Sequence, residues 1–381
     1  MLHIPFLLSA SLHCDILLPI MFILLIAGSL YFLSIVFFTL IGGCMPFKKT
    51  NATTETAITV LIVARNEEHR LPATLESLKH LDLNGLDAEF IFVDDASIDK
   101  TGRLMREFKS IFPVSIIRID EKNPLLPGKK DGITCAVAVA KGSVIFMTDA
   151  DCIVQPQWVK AMLPYFHGNV GLLLGHVIYK KNGIRGLTGT MEALCGTIFT
   201  FAWAGWNFSP YCRGANLAFS KKAFVESGGY AGTPVIASGD DMFLLQKIRR
   251  QFRIVPVYDR TSFVMTELHA HFDDHIAQQK RKYAKNFRYE WPHQVLFIAG
   301  ILFYLLILVN MLLAVPYASV AFFIIMTLAW LIFVVGAIRL SSAEKIPLFP
   351  FFFLWYPCEI IVFSVWGKLT GYRWKSEDNI Q

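Results

Sequence analysis

The stretch SVIFMTDADCIV, Ser143 to Val154, sets two carboxylates one residue apart, Asp149 and Asp151, behind an apolar run. In extended chain, residues i and i+2 point to the same side. The two acids therefore aim together at whatever lies beyond the run. Unpaired, they would repel each other and suffer desolvation. A divalent cation removes that cost, and oxygen-only ligands suit Mg2+ or Mn2+, ions that keep waters and bind phosphate oxygens. The alternative is a solvated loop with two stray acids, because a lone D-x-D arises by chance. A second pair, Asp94 and Asp95 in FVDDASIDKT, ends another apolar run and adds weight to the first. A third pair, Asp240 and Asp241 in SGDDMFLL, also reads as a helix start, where acids are favoured anyway.

Strands and helices alternate from Lys48 to about Gln294, and these must position the acids. AITVLIVA (Ala57 to Ala64), EFIFV (Glu89 to Val93), VSIIRI and SVIFM read as strands. Leu71, Leu75 and Leu78, then Leu104, Phe108 and Ile111, recur at helical spacing, and KDGITCAVAVAKG reads as a helix. Continuous apolar strands with helical crossovers predict an α/β fold whose mainly parallel sheet is covered on both faces. Ligands of such sheets lie beyond the carboxyl ends of the strands. ARNEE (Ala64 to Glu68), DDASID (Asp94 to Asp99) and DAD stand at those ends. The absence of G-x-G-x-x-G and Walker P-loop sequences argues against a dinucleotide or P-loop enzyme.

The 381 residues are 54% hydrophobic and 14% aromatic, unevenly spread. Ile16 to Phe47 and Val295 to Ile338 contain no charged residue. A helical span takes about 20 apolar residues, so the first run fits one span and the second two, with VPYAS (Val315 to Ser319) as the turn. Buried core helices are the alternative, which the length of the runs disfavours. Lys48 and Lys49 follow the first run, and the first fifteen residues carry no Lys or Arg. The excess of cytoplasmic Lys and Arg then puts the N-terminus outside and the middle of the chain in the cytoplasm. Ile346 to Trp366, with Pro347, Pro350, Pro357 and Glu359, reads as an interfacial or re-entrant segment, because a crossing would leave Lys368, Arg373 and Lys375 outside. The expected organisation is an anchor at 1–47, a cytoplasmic domain at 48–294, a transmembrane hairpin at 295–338, and a re-entrant segment and tail at 339–381. That is a multi-pass protein of a cell membrane, of the bacterial inner-membrane kind. The net charge of +6 suits an anionic membrane surface, and no basic-aromatic array points to nucleic acid. Seven scattered cysteines without a C-x-x-C pair argue against structural zinc and a disulfide framework.

IVARNEE, FVDDASIDKT, PGKKDG, MTDAD, CRGANLAFSKKAF, SGDDMFLL and QQKRK, in this order from about Thr56 to Asn286, resemble the glycosyltransferase family 2 enzymes, whose fold is the GT-A nucleotide-diphospho-sugar fold. The flanking apolar runs resemble membrane members, both ceramide-glucosyltransferase-like and bacterial lipid or polysaccharide glycosyltransferases. The resemblance implies a nucleotide-sugar donor, UDP-linked by family expectation, and a lipid or glycan acceptor. It implies that Arg65, Glu67, Asp94 and Asp95 line the nucleoside pocket, that Asp149 faces the ribose, and that Asp151 with Asp149 holds the metal on the diphosphate. Lys129 would lie near the donor phosphates, or Lys129 and Lys130 would be a solvated helix start. Ser97 or Asp99 would line the same edge or cap the following helix.

In the family pattern the last acid of SGDDMFLL is the general base, here Asp241, beside Asp240. The sugar-accepting hydroxyl is a poor nucleophile until its proton is taken, so one displacement inverts the anomeric carbon. QQKRK departs from the family's Q-x-x-R-W. Gln278 and Arg281 match, whereas Lys282 replaces the Trp, which puts processive synthesis in doubt. Arg281 suits a diphosphate, while Lys280 and Lys282 suit either the site or lipid headgroups. GTIFTFAWAGWNF (Gly196 to Phe208) reads as a core helix or as part of a membrane-facing acceptor groove. Two rival readings stand beside the membrane transferase: a short polysaccharide synthase, and a non-catalytic glycosyltransferase-like binding subunit.

Overall fold

The computed structural model describes residues 4–50, 56–180, 183–267, 272–312, 316–340, 342–370, 372–374 and 377–380. Its strands are β1 (Ile58–Ala64), β2 (Ala88–Asp94), β3 (Val114–Arg118), β4 (Val144–Asp149), β5 (Cys152–Ile153), β6 (Val170–Leu174), β7 (Val177–Tyr179), β8 (Leu217–Ser220), β9 (Arg253–Pro256), β10 (Val264–Thr266), β11 (Tyr372–Trp374) and β12 (Glu377–Ile380). The main sheet runs β3-β2-β1-β4-β8-β6-β9, and β5-β10-β7 form a small second sheet. Strands β1 to β4 are mutually parallel, β8 is antiparallel to β4 and β6, and β9 is parallel to β6. Every residue of β1 and β2 is buried, and β4 is buried until Asp149. Burying one Val, Ile or Phe contributes roughly 1.5–3 kcal/mol, so these strands are stable only with both faces covered. One apolar cluster lies on each face.

The helices are α1 (Ile4–Cys44), α2 (Leu71–Lys79), α3 (Thr101–Glu107), α4 (Lys130–Val139), α5 (Trp158–Met162), α6 (Gly183–Ala204), α7 (Lys221–Glu226), α8 (Asp240–Ile248), α9 (Phe272–Ala284), α10 (Trp291–Leu312), α11 (Pro316–Arg339) and α12 (Phe349–Thr370). The expected strands and the helix at 130–139 are present. Helix α3 is shorter than the Leu104-Phe108-Ile111 spacing suggests: it stops at Glu107, Phe108 is buried in extended conformation and Ile111 is 90% exposed. Pro113 disfavours helix in the residue before it, and the chain must straighten to enter β3. The VPYAS turn is also corrected. Helix α11 begins at Pro316, where a missing N–H costs nothing; Val315 lies outside the described residues, as does Lys375.

Among the described residues, Ile23–Cys44 is long and apolar enough to cross a bilayer. Lys345–Phe352 and Trp355–Thr370, bent by 54°, pass the same test only as a pair, and Trp291–Leu306 and Phe323–Arg339 are shorter apolar helices. Leu25 of α1, Phe303 of α10 and Ile325 of α11 pack together. Helix α6 joins this layer to the α/β domain. Its Leu194 and Phe201 are buried in the domain core, while Trp203 Nε1 donates to Thr39 Oγ1 (2.8 Å). Just beyond α6, Trp206 Nε1 donates to the Phe38 carbonyl (2.8 Å). The aromatic segment is thus a core helix on one side and a contact for α1 on the other.

Candidate active site at the carboxyl edge of the sheet

Strand register builds the edge. Ala64 pairs with Asp94 and Val63 with Asp149, so β1, β2 and β4 end together. The loops that leave them are laced to each other. Asn66 N–H donates to Ser97 Oγ (3.1 Å), Ile98 N–H to Asn66 Oδ1 (3.0 Å), Glu67 N–H to Thr101 Oγ1 (2.7 Å) and Glu68 N–H to Asp99 Oδ2 (3.1 Å). Asp99 Oδ1 also accepts the N–H of Thr101 at the start of α3 (2.9 Å). Ser97 and Asp99 therefore fix the loops and the helix start. Asn66 and Ala96 both have φ of 53°. Such left-handed residues cost about 1–3 kcal/mol each and persist where surroundings over-determine them, as this lacing does.

Above the edge lies a cleft of about 680 Å³ lined by Arg65, Glu67, Asp95, Lys129, Asp149, Asp151, Asp240, Asp241, Gln278 and Arg281. Like Ser97, Asp99, Lys130 and Lys280, Asp94 is missing from this lining. It is fully buried, accepts the Ser97 N–H (3.0 Å) and pairs with Arg118 Nη1 (2.5 Å). A Cβ on Gly102 would meet its Oδ2 at 2.2 Å. Neighbours in extended chain face opposite sides, so Asp95, which pairs with Lys122 (3.1 Å), takes the cleft side and Asp94 the interior. Asp94→Ala strands a buried N–H and is expected to lower stability by about 1–3 kcal/mol with donor affinity unchanged, measured by denaturant unfolding beside nucleotide titration.

Asp149, Asp151 and Cys152 bring ligand atoms within 4.8 Å of one another. Lys129 pairs with Asp149, and Arg70 Nη1 stands 3.3 Å from Asp151 Oδ2. Burial, then the charges of Asp149 and Glu67, push the Asp151 carboxyl above its usual range. Burial works against the Lys129 ammonium, but Asp149, Asp240 and Asp151 outweigh it and hold the proton on. Burial and both acids push the Cys152 thiol well up, and its Sγ leans on Asp151 Oδ1 (3.4 Å). The ligand set is therefore two crowded carboxylates beside a neutral thiol, which fits a hard divalent cation.

Across the cleft, Gly239 adopts φ of +83°, and α8 starts with Asp240 and Asp241. Only glycine turns there without strain. The pair both starts the helix and lines the cleft. Asp241 accepts N–H bonds from Gly214 (Oδ2, 3.1 Å) and Met242 (Oδ1, 2.7 Å). Burial, then the Asp241 charge, pushes the Asp240 carboxyl up to about 6. Gly214 is held by its neighbour Asn216, whose Oδ1 accepts from Trp158 Nε1 (2.9 Å) and whose Nδ2 donates to the carbonyls of His176 and Ser262 (both 2.8 Å). CRGAN thus braces the floor under Asp241.

Helix α9 closes the cleft with Gln278 and Arg281. Lys282, at the position of the family Trp, pairs with Glu192 of α6, and Gln279 Nε2 donates to Glu192 Oε2 (3.1 Å). The sequence reading did not single out Arg70, Glu192, Arg213 or Lys285, which also line the cleft. Arg213 stands inside a motif that was noticed; the others carry no local signal and arrive through long-range packing.

Residues 59–235 match the family described as Glycosyl transferase family 2. A 4,4'-diaponeurosporenoate glycosyltransferase of Staphylococcus haemolyticus is 28% identical over 139 residues, 35% of this chain and 36% of that protein. A beta-monoglucosyldiacylglycerol synthase of Synechocystis is 26% identical over 110 residues, 29% of this chain and 22% of that protein. The chain thus spans well under half the length of these curated relatives. A mannosyltransferase from Pyrobaculum calidifontis, solved with GDP-Man and Mn2+, superposes with a TM-score of 0.58 at 17% identity, over 94% of this chain and 100% of that one. With the mainly parallel sheet and the acid-lined carboxyl edge, these findings identify a glycosyl transferase family 2 domain on a GT-A fold.

Proposed function

We propose that the chain is a membrane-anchored, metal-dependent, inverting glycosyltransferase that moves a sugar from a nucleotide-sugar, UDP-linked, to a lipid-linked or amphipathic acceptor at the cytoplasmic membrane face. One observation carries this reading. The acid-lined cleft adjoins an apolar cavity of about 480 Å³ among α1, α6, α9, α10 and α12, and Glu192, Tyr211, Arg213 and Lys282 line both. A water-soluble donor and a lipid would thus meet at one junction. The relatives' names, which specify diaponeurosporenoate and a glucosylated diacylglycerol, support an apolar acceptor. A processive polysaccharide synthase fits less well, because Lys282 takes the family Trp position and is tied to Glu192.

In this mechanism Arg65, Glu67 and Asp95 hold the nucleoside. Lys129, Gln278 and Arg281 face the diphosphate. Asp151 and Asp149 would hold Mg2+ or Mn2+, which would supply positive charge at the departing diphosphate. Asp241 takes the proton of the acceptor hydroxyl as its oxygen bonds to the anomeric carbon. The carbon–oxygen bond to the diphosphate breaks, its electrons leave with the nucleotide, and the anomeric carbon inverts. The defining experiment is a screen of nucleotide-sugars against membrane lipid extract with mass analysis of products. No transfer from any donor would leave the non-catalytic binding subunit as the reading.

The proposed organisation has residues 1–47 as anchor, 48–294 in the cytoplasm, 295–338 as a hairpin and 339–381 as a re-entrant segment and tail. The distribution of Lys and Arg sets this orientation. Cysteine-accessibility labelling in intact cells should mark positions before residue 16 from outside and leave a tag after Gln381 unmarked. External labelling of that tag would mean that Ile346 to Trp366 crosses.

A further inference from the structure

Arg213 stands at the junction of the two cavities with one edge unused. Its Nη1 donates to Tyr179 Oη (3.0 Å), and the guanidinium lies over the rings of Tyr179 and Tyr211, 5.6 and 5.3 Å from their centroids. Its Nε and Nη2 are buried without a hydrogen-bond partner among the described residues. The nearest carboxylate is Glu192, whose Oε1 lies 3.7 Å from Nη2, beyond hydrogen-bond reach. Glu192 is committed elsewhere, to Lys282 and Gln279. Glu192 thus stands between two basic side chains, and Arg213 is the one that it leaves without a hydrogen bond.

Buried donors left unpaired are costly. The Nε–Nη2 edge is the fork that grips two oxygens of one carboxylate or phosphate. Its orientation is fixed in advance by two tyrosine rings, which lowers the ordering cost of binding. Arg213 lines both the apolar cavity, able to hold a hydrocarbon tail, and the polar cleft. The residue after Arg213 donates its N–H to Asp241, so Arg213 and the base belong to one wall of the cleft.

Building on the lipid-acceptor reading above, we infer that the acceptor is an anionic amphiphile whose carboxylate or phosphate is anchored by Arg213 while its tail fills the apolar cavity. The anchor fixes the head, and a hydroxyl on that head is left to Asp241.

Binding to the purified full chain in nanodiscs tests this without sugar transfer. The probes are palmitate, hexadecyl phosphate, the uncharged hexadecanol, inorganic phosphate and UDP. Palmitate or hexadecyl phosphate is expected to bind at least about 10-fold tighter than hexadecanol, and the tighter of the two identifies the head. Arg213→Gln should cost the anionic probe roughly 10- to 100-fold, Arg213→Lys should recover part of it, and UDP affinity should hold in both, which also certifies folding. Equal binding of hexadecanol by the unaltered protein would overturn the inference even if the variants fail to fold. So would displacement of the amphiphile by inorganic phosphate at similar concentration, or a loss of UDP affinity in Arg213→Gln with amphiphile binding intact. A failure of the glycosyltransferase reading looks different: no donor yields product, while the preference for the anionic probe persists.

Discussion

Asp241→Asn is expected to slow sugar transfer by roughly 10²- to 10⁴-fold, the usual contribution of a general base, with donor affinity unchanged. The amide keeps the size of the side chain and can still accept the Gly214 N–H that now reaches Oδ2 at 3.1 Å. It cannot take a proton from a hydroxyl. Asp240→Asn is the control. Burial raises the Asp240 carboxyl to about 6, so it ionises only as pH rises through that value. Because its proton persists below about 6, transfer should fall on the acid side of that value, and Asp240→Asn should weaken this limb with a smaller loss of rate. Its raised folded value also has a stability consequence: its contribution is full below the unfolded carboxylate value and is lost as pH rises through about 6. Transfer rate against pH and donor affinity, measured separately, check all three. Original rates in both variants would reduce the pair to the start of α8.

The sheet was legible because β1, β2 and β4 are buried on both faces, and such strands must be written as unbroken apolar runs. Their carboxyl ends followed, and with them the placement of Arg65, Asp95, Asp149 and Asp151. Asp94 was paired with Asp95 because the two are adjacent; only the structure assigns one to the cleft and the other to Arg118 and Ser97. Arg70 reaches Asp151 from 81 residues away, and Glu192 meets Lys282 across two helices that no local pattern connects. The replacement of the family Trp by Lys282 was visible, but its partner was not. The aromatic run at 196–208 reads equally as core or as membrane contact because α6 is both, with Phe201 in the domain and Trp203 on α1.

Asp151→Ala should abolish divalent-dependent donor binding, and Asp151→Asn should be nearly as severe. The carboxylate lies in a crowded, partly buried place where burial and the charges of Asp149 and Glu67 already disfavour ionisation. Arg70 offsets part of this at 3.3 Å, and Lys129 is drawn to Asp149. Arg70 and Lys129 are already paired with these two acids, so phosphates arriving beside Asp151 need a further cation. Asn keeps the shape and loses the charge that binds it. In either variant the Asp151 charge that repels phosphate is also gone, so a weak, metal-independent binding should emerge as the metal-dependent one disappears. Calorimetry with a UDP-sugar, with and without Mn2+, separates the two: the unaltered protein should lose affinity on metal removal, whereas the variants should show one low affinity in both conditions. This balance is the reverse of that expected for Asp241→Asn, which spares donor binding and slows transfer. Undiminished metal-dependent binding in both Asp151 variants would make DAD a structural turn between β4 and β5.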